Sequence, residues 1–97
     1  MKYITFEWDE NKNKLNQQKH GISFGEAKTV FYDDNARLIY DPHHSKAEDR
    51  FVLLGLSSSL RILIVIHVYR KNDEIIRIIS ARKATKSEIK QYREKLL

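Results

Sequence analysis

Three basic side chains fall on three successive predicted strands, and their types suit chemistry on a phosphate. They are Arg50, His67 and Arg77. A guanidinium group donates planar, bidentate hydrogen bonds to phosphate oxygens, and an imidazole with a pKa of about 6.5 exchanges protons at neutral pH. The three residues therefore predict a cationic site for an anionic substrate.

Strand geometry places these residues relative to one another, because successive side chains point to opposite faces. In the middle strand Ile62, Ile64, Ile66 and Val68 point one way, and Arg61, Leu63, Val65, His67 and Tyr69 point the other. Pairing the aliphatic sets of neighbouring strands puts Arg77 opposite His67, and a two-residue Ser58-Ser59 hairpin loop puts Arg50 opposite His67. Since a buried unpaired charge costs several kcal/mol, we expect this face to be open, with Arg61 and Tyr69 at its ends.

Two other interpretations of the charged residues stay open. Arg50 and Arg77 could simply pair with nearby acids, namely Glu48, Asp49 or Glu74, and leave His67 as a rim residue. The adjacent histidines His43 and His44 are a weak metal signal, because no third ligand stands at a suitable spacing. We expect neither a metal nor a cofactor.

The elements that must position these residues are typical of an α+β fold. Asp9 and Ser23 suit helix N-caps, Gly21 suits a helix C-terminus, and Ser23–Glu26 and 85–88 have capping-box spacing, in which each Glu reaches back to the cap amide. The predicted strands are Tyr3–Trp8, Ala36–Tyr40, Arg50–Ser57, Leu60–Tyr69 and Ile75–Arg82. We expect two N-terminal helices, an antiparallel sheet of about four strands and a C-terminal helix.

Composition limits the protein class. The chain has 97 residues, which suits a single domain over 1–97, and its net charge is +5. Residues 1–49 carry seven Lys and Arg against nine acids, whereas residues 50–97 carry eleven against four, so the second half suits a polyanionic partner. There is no Cys, and the longest aliphatic run, Ile62–Ile66, is too short for a membrane span. We expect a cytoplasmic protein without membrane insertion.

Several ordered segments resemble the BrnT family of bacterial toxins. They include KHGISF at 19–24 and RIISARKA at 77–84, together with the Glu48-Asp49-Arg50 step and Leu54-Gly55, and they extend over essentially the whole chain. The resemblance implies a RelE-like fold and an endoribonuclease toxin of a type II toxin–antitoxin system. It also implies metal-independent RNA cleavage that inhibits translation.

The resemblance also points to particular residues. The family motif falls on Glu48, Arg50, His67, Arg70, Arg77, Ser80, Arg82 and Lys83. We predict that Arg50, His67, Arg77 and Glu48 are catalytic, and that Arg61, Tyr69, Arg70, Ser80, Arg82 and Lys83 bind substrate. In this hypothesis His67, or a nearby basic group, assists attack of a ribose 2′-hydroxyl on the adjacent phosphate, and Arg50 and Arg77 stabilise the developing charge.

The partners that the resemblance implies are RNA and a cognate BrnA-like antitoxin. Promoter DNA would be contacted only through the antitoxin complex, and a homodimer within that complex stays open. A different hypothesis is a non-catalytic nucleic-acid-binding or transcriptional module, for which the basic second half is equally good evidence. A third is a pure interaction protein whose basic face receives an acidic partner.

Overall fold

A five-stranded sheet forms the centre of the structure, a computed structural model that describes residues 4–94. The strands are β1 (Thr5–Glu7), β2 (Arg37–Asp41), β3 (Arg50–Leu56), β4 (Ile62–Arg70) and β5 (Ile75–Lys83), in the order β1-β5-β4-β3-β2. Strands β2 to β5 are antiparallel, and β1 pairs in parallel with β5. The α+β class is confirmed. The sheet has one strand more than predicted because β1 joins it, and Tyr3 lies outside the described residues.

Three helices flank the sheet, and their ends follow the predicted caps. They are α1 (Glu10–His20), α2 (Phe24–Thr29), which continues into a 3₁₀ turn at Val30–Tyr32, and α3 (Lys86–Glu94). Asp9 accepts hydrogen bonds from two amides of α1, and Gly21 ends that helix at φ 70°. Between residues 4 and 94 no helix combines the length and the apolar character needed to cross a membrane.

The two capping boxes differ. At α3 both bonds form: the Thr85 amide donates to Glu88 at 2.8 Å, and the Glu88 amide donates to Thr85 Oγ1 at 3.2 Å. At α2 the Ser23 hydroxyl caps the Glu26 amide at 3.0 Å, but the Glu26 carboxylate accepts from Ser57 and Arg61 instead of reaching back to the Ser23 amide. The predicted second bond of that box is therefore wrong, because a charged partner competes for Glu26.

Helices pack on both faces of the sheet. On the face that we call the core face, α1 and α2 enclose the main core, which comprises Ile22, Phe24, Ala27, Val30, Leu53, Leu63, Val65, Ile78 and Ala81. On the opposite face, the α3 face, Tyr92 packs against Leu54 and Ile64. Strand β4 is therefore apolar on both sides, as is typical of a central strand. The expectation that the side of β4 bearing Leu63, Val65 and His67 is open is wrong.

The β3–β4 hairpin has a longer loop than predicted. Leu56 pairs with Ile62, and the Ser57 amide donates to the Arg61 carbonyl at 2.8 Å, so the loop comprises the three residues 58–60. Its last residue, Leu60, adopts φ 62°. This one-residue difference in register places Phe51, and not Arg50, opposite His67. Arg50 therefore points to the α3 face, because neighbouring residues of a strand alternate.

A β-bulge shifts the other side of β4 in the same way. Ile66 pairs with Ser80, whereas His67 pairs with Ile78, so Ile79 is the additional residue of β5. Arg77 consequently pairs with Val68 rather than with His67. The predicted row of Arg50, His67 and Arg77 is wrong, but the two register differences move both arginines together onto the α3 face.

Gly55 in β3 lies very close to side chains of the neighbouring elements. A Cβ at this position would lie 2.8 Å from Val30 Cγ1, 2.9 Å from Ala36 Cβ and 3.0 Å from Asp33 Oδ2. The Asp33 carboxylate also accepts from the Leu56 amide at 2.8 Å and from the Tyr92 hydroxyl at 2.7 Å. A side chain at residue 55 would therefore disturb both the core and the link between α3 and the sheet.

We expect Gly55→Ala to lower the free energy of unfolding by about 1–3 kcal/mol, because overpacking displaces these three neighbours. Chemical denaturation measures the effect. The matched control is Gly25→Ala in α2, where the nearest atom to an added Cβ is Ser23 Oγ at 3.8 Å and alanine favours the helix. Equal midpoints for Gly55→Ala and the wild type would contradict the close approach.

Candidate active site

Three of the rows of side chains that run across the strands on the α3 face define the candidate site. The row beneath α3 comprises Arg37, Leu54, Ile64 and Arg82; the middle row comprises Ile39, Val52, Ile66 and Ser80; and the charged row comprises Asp41, Arg50, Val68, Arg77 and Glu7. Extending the β3–β4 register by one residue beyond the Phe51–His67 pair sets Arg50 beside Val68. The sheet thus places the Cα atoms of Arg50 and Arg77 about 10 Å apart, which is two strand spacings. Both side chains are half-buried.

Arg50 differs from the arginines of β4 and β5, each of which has a carboxylate partner. Arg77 pairs with Glu7, Arg82 with Glu88 and Arg70 with Glu48. Among residues 4–94, no side-chain hydrogen bond or ion pair engages the Arg50 guanidinium. Its neighbour across β2, Asp41, instead accepts from the His43 amide at 3.1 Å and contacts His44 Nδ1 at 2.9 Å. The five donors of Arg50 are therefore available to an anion.

Arg77 is held by β1. Glu7 pairs with Arg77 in the parallel ladder, and the Arg77 Nη1 atom donates to Glu7 Oε2 at 2.5 Å. Both side chains are partly exposed, so one side of the Arg77 fork can still face a ligand. The alternative that Arg50 and Arg77 are neutralised by Glu48, Asp49 or Glu74 is wrong, since Glu48 contacts Arg70 and the acid beside Arg77 comes from β1.

A groove lies between the row beneath α3 and the middle row, toward the β2 edge. Its volume is about 260 Å³, and its floor is apolar. The lining residues are Ile39, Tyr40, Asp41, Pro42, His43, Val52, Leu54, Ile64, Glu88 and Gln91. His43 is exposed there, in the 3₁₀ turn Pro42–His44 that Asp41 caps. An imidazole therefore lies at the same end of the α3 face as Arg50.

Arg82 serves the helix that forms the other wall of the groove. Its two terminal nitrogens donate to the two Glu88 oxygens at 2.7 and 3.0 Å. Hydrogen bonding by Arg82, opposed by burial and assisted by the Thr85 amide, lowers the pKa of Glu88 to about 2. Arg82 lies on the α3 face, as strict alternation predicts. Its guanidinium pairs with Glu88 of α3 and does not face an open surface.

His67 is fully buried on the core face. Its ring lies 4.8 Å from the Phe31 ring and 6.2 Å from the Phe51 ring, centroid to centroid. Nδ1 contacts the Val65 carbonyl at 3.2 Å, and Nε2 contacts the Tyr69 hydroxyl at 3.2 Å. Because a carbonyl only accepts, Nδ1 carries the hydrogen and Nε2 accepts from Tyr69, so one neutral tautomer satisfies both contacts.

This environment opposes protonation of His67. Burial lowers the pKa of His67 to about 4, against a smaller opposing effect of the Val65 carbonyl. At neutral pH the ring is neutral and closed off from solvent. The predicted contact of His67 with Arg50 and Arg77 is therefore wrong in geometry, and its catalytic role stays a prediction.

The remaining predicted site residues are dispersed. Arg61 binds Glu26 and the Gly21 carbonyl, where it ties β4 to the ends of α1 and α2. Tyr69 packs edge-on against Phe51 at 5.2 Å on the core-face side, and Arg70 pairs with Glu48 at 3.1 Å on the exposed surface. Lys83 pairs with Leu63 at the end of β5, and Ser80 alone joins the open middle row beside Arg50 and Arg77.

Two residues of the α3 face, Glu7 and His43, were not predicted as site residues from the sequence. Glu7 becomes visible only through the parallel β1–β5 pairing, which no local pattern indicates. His43 had a usable signal, because the Asp41-Pro42-His43 order is typical of a capped turn that begins with proline. The His43-His44 pair was interpreted only as a weak metal signal. No group of three or more His, Asp or Glu side chains within the described part of the chain is placed to hold a metal.

Comparison with known proteins identifies the family and a similar solved structure. Residues 8–88 match the family model described as the ribonuclease toxin BrnT of type II toxin–antitoxin systems. The crystal structure of the Brucella abortus ribonuclease toxin BrnT is similar, with a TM-score of 0.65 and 29% sequence identity over 87% of this chain and 100% of that chain. No match was found among curated protein sequences. The matched segment contains Arg50, Arg77 and His43, and Glu7 lies one residue before it.

Proposed function

Because the chain belongs to the BrnT family of ribonuclease toxins of type II toxin–antitoxin systems, we propose that it cleaves RNA on its α3 face and does so without a metal ion. The observation that carries this proposal is the Arg50 guanidinium, which lies on the same face as Arg77 and has no carboxylate partner among residues 4–94. A cation left unpaired beside an open groove suits a phosphate oxygen.

The proposed reaction is an internal transfer at phosphorus. The ribose 2′-oxygen forms a bond to the adjacent phosphorus as its proton passes to a base, and the bond from phosphorus to the 5′-oxygen breaks as that oxygen receives a proton. The products are a 2′,3′-cyclic phosphate and a 5′-hydroxyl. Arg50 and Arg77 stabilise the charge that develops on the non-bridging oxygens. Guanidinium groups that are already in place perform this role without reorganisation.

We assign proton transfer to His43 in place of His67. His43 is exposed and lines the groove, whereas His67 is enclosed by Phe31 and Phe51 and resists protonation. A general acid or base must lie within hydrogen-bond reach of the proton that it moves. His67 supports the site indirectly, because its Nε2 atom holds the Tyr69 hydroxyl.

The family relationship supports our proposals for the partners and the compartment. RNA is the target and an antitoxin is the partner of a type II toxin of this family. The finer proposals are that the antitoxin is BrnA-like, that it neutralises the toxin by covering the charged row, and that promoter DNA is reached only through the complex. We place the protein in the cytoplasm, where RNA cleavage inhibits translation.

Incubation of the purified chain with a defined RNA in the presence of a chelator tests the proposal. We expect cleavage to persist and the products to carry cyclic phosphate ends, which mass spectrometry identifies. Cleavage that stops in chelator and returns with added divalent metal would overturn the metal-independent mechanism. Intact RNA retained by the protein would instead support a non-catalytic binding module.

The same cleavage assay tests His43. We expect His43→Ala to slow cleavage about 10²-fold or more. His44→Ala is the matched control, since His44 is its neighbour in the same turn and pairs with Asp41. An unchanged cleavage rate for His43→Ala would assign proton transfer to another group.

A further inference from the structure

The open edge of β2 is an unusual surface. Strand β2 pairs with β3 on one side, and nothing in the described chain pairs with its other side. Three consecutive large apolar residues lie along it, and Leu38 is 53%, Ile39 43% and Tyr40 48% exposed. Natural proteins protect such edges with charges, prolines or bulges, because unpaired backbone groups recruit further strands. Here apolar side chains occupy the centre of the edge.

The residue order of β2 is complementary to itself. The strand reads Arg37-Leu38-Ile39-Tyr40-Asp41. If it runs antiparallel to a copy of itself with Ile39 at the centre, Arg37 lies opposite Asp41 of the second copy, and Leu38 lies opposite Tyr40. Opposite charges and aliphatic–aromatic pairs are both favourable across antiparallel strands. We propose that the β2 edge pairs with the same edge of a second copy of this chain, about a two-fold axis at Ile39.

The side chains concerned are available for this pairing. Among residues 4–94 the Arg37 guanidinium makes a single, long hydrogen bond of 3.4 Å to the Gln91 carbonyl. The Asp41 carboxylate accepts from the His43 amide and contacts His44, which leaves acceptor positions on a group with about four. Leu38 and Tyr40 point to the core-face side, and Ile39 points to the α3 face, so each face gains its own cross-strand contacts.

The symmetry has a consequence for the candidate active site. Two antiparallel strands of one sheet are related by an axis perpendicular to the sheet, so both α3 faces lie on the same side of a ten-stranded sheet. The Arg50 side chains of the two copies then project from the same side of the dimer. This inference does not depend on the proposed reaction, because it rests on the strand edge alone.

The edge is small for a permanent interface. Stable interfaces bury about 1,200–2,000 Å² in total and use about 20–30 residues a side, whereas β2 has 5 residues. We therefore expect a reversible dimer that dissociates on dilution. Sedimentation of the full chain from low to high micromolar concentration measures this equilibrium.

The decisive test exploits the axis, which places residue 39 opposite itself. Ile39→Asp and Ile39→Lys each place like charges together, so each variant alone is expected to weaken dimerisation at least about tenfold. An equimolar mixture of the two is expected to restore a dimer of mixed composition. Because Ile39 is exposed, both variants should keep the wild-type thermal midpoint.

The matched control is the same pair of substitutions at Leu60, which is 80% exposed in the β3–β4 loop and away from β2. These variants should dimerise like the wild type. A wild-type chain that stays monomeric at every concentration overturns the proposal, and so does a mixture that fails to associate. Protection of β2 amides from exchange by the antitoxin, without self-association, would assign the edge to that partner instead.

Discussion

Replacing Arg50 with alanine is expected to slow RNA cleavage by about 10²–10³-fold, which is the usual cost of removing one preorganised donor to a developing oxyanion. The thermal midpoint should stay close to that of the wild type, because the Arg50 guanidinium has no protein partner in the described structure and surface changes of this kind cost little. Single-turnover cleavage of a defined RNA measures the chemical step apart from product release.

The control for this prediction is Arg93→Ala, which removes an arginine from α3 without touching the charged row. It should cleave RNA at nearly the wild-type rate. Arg50→Lys adds a further readout, since it keeps the charge but loses the fork, and we expect partial activity. Full activity in Arg50→Ala would remove this residue from the mechanism and move the site elsewhere on the sheet.

The second large effect concerns stability. His67→Ala is expected to lower the free energy of unfolding by about 2–4 kcal/mol, because it leaves a cavity between Phe31 and Phe51 and leaves the Val65 carbonyl without its donor. His44→Ala, at an exposed position, should change it by less than about 0.5 kcal/mol. Denaturant unfolding at neutral pH measures both.

The same residue predicts acid sensitivity. The pKa of His67 is about 4 in the folded protein and 6.5 in the reference state, so below pH 6.5 the unfolded chain binds a proton that the folded chain excludes. The contribution of neutral His67 to the free energy of unfolding is fully present above pH 6.5. It falls by about 3 kcal/mol as the pH drops to 4 and below. Above pH 4.5 the carboxylate of Glu88, with its pKa of about 2, contributes little to this slope.

His67→Ala should flatten that slope between pH 6.5 and 4.5, and this difference separates burial of the ring from other acid effects. A wild-type slope that survives the substitution would show that another group takes up the proton. Cleavage by His67→Gln, measured well below its melting temperature, addresses catalysis separately: a loss of several orders of magnitude would return His67 to the chemical step.

Local features of the sequence predicted most of the elements. Asp9, Gly21 and Thr85 mark helix ends through hydrogen bonds with residues only a few positions away, and such short-range chemistry is visible in the residue order. The aliphatic alternation of Ile62, Ile64 and Ile66 was interpreted correctly as one face. The family resemblance pointed to Arg50 and Arg77, both of which lie on the α3 face.

The site geometry could not be predicted in the same way, because two one-residue events decide it. A third residue in the β3–β4 loop and one additional residue at Ile79 each reverse which face a strand presents relative to β4. His67 was placed beside the arginines by the predicted register, and that face was expected to be open because burying two unpaired guanidiniums would be costly. A neutral histidine can be buried here because β4 is covered on both sides and both ring nitrogens form hydrogen bonds.

The parallel pairing of β1 with β5 also determines when the toxin becomes complete during synthesis. Glu7 and Arg77, which form an ion pair in the charged row, are 70 positions apart. Chains emerge N-terminus first, at about 5–20 residues per second, and contacts between distant segments close late. The charged row therefore assembles only after β5 has been made. A nascent chain therefore lacks the complete charged row for most of its translation, and an antitoxin that recognises this row can bind only near the end of synthesis.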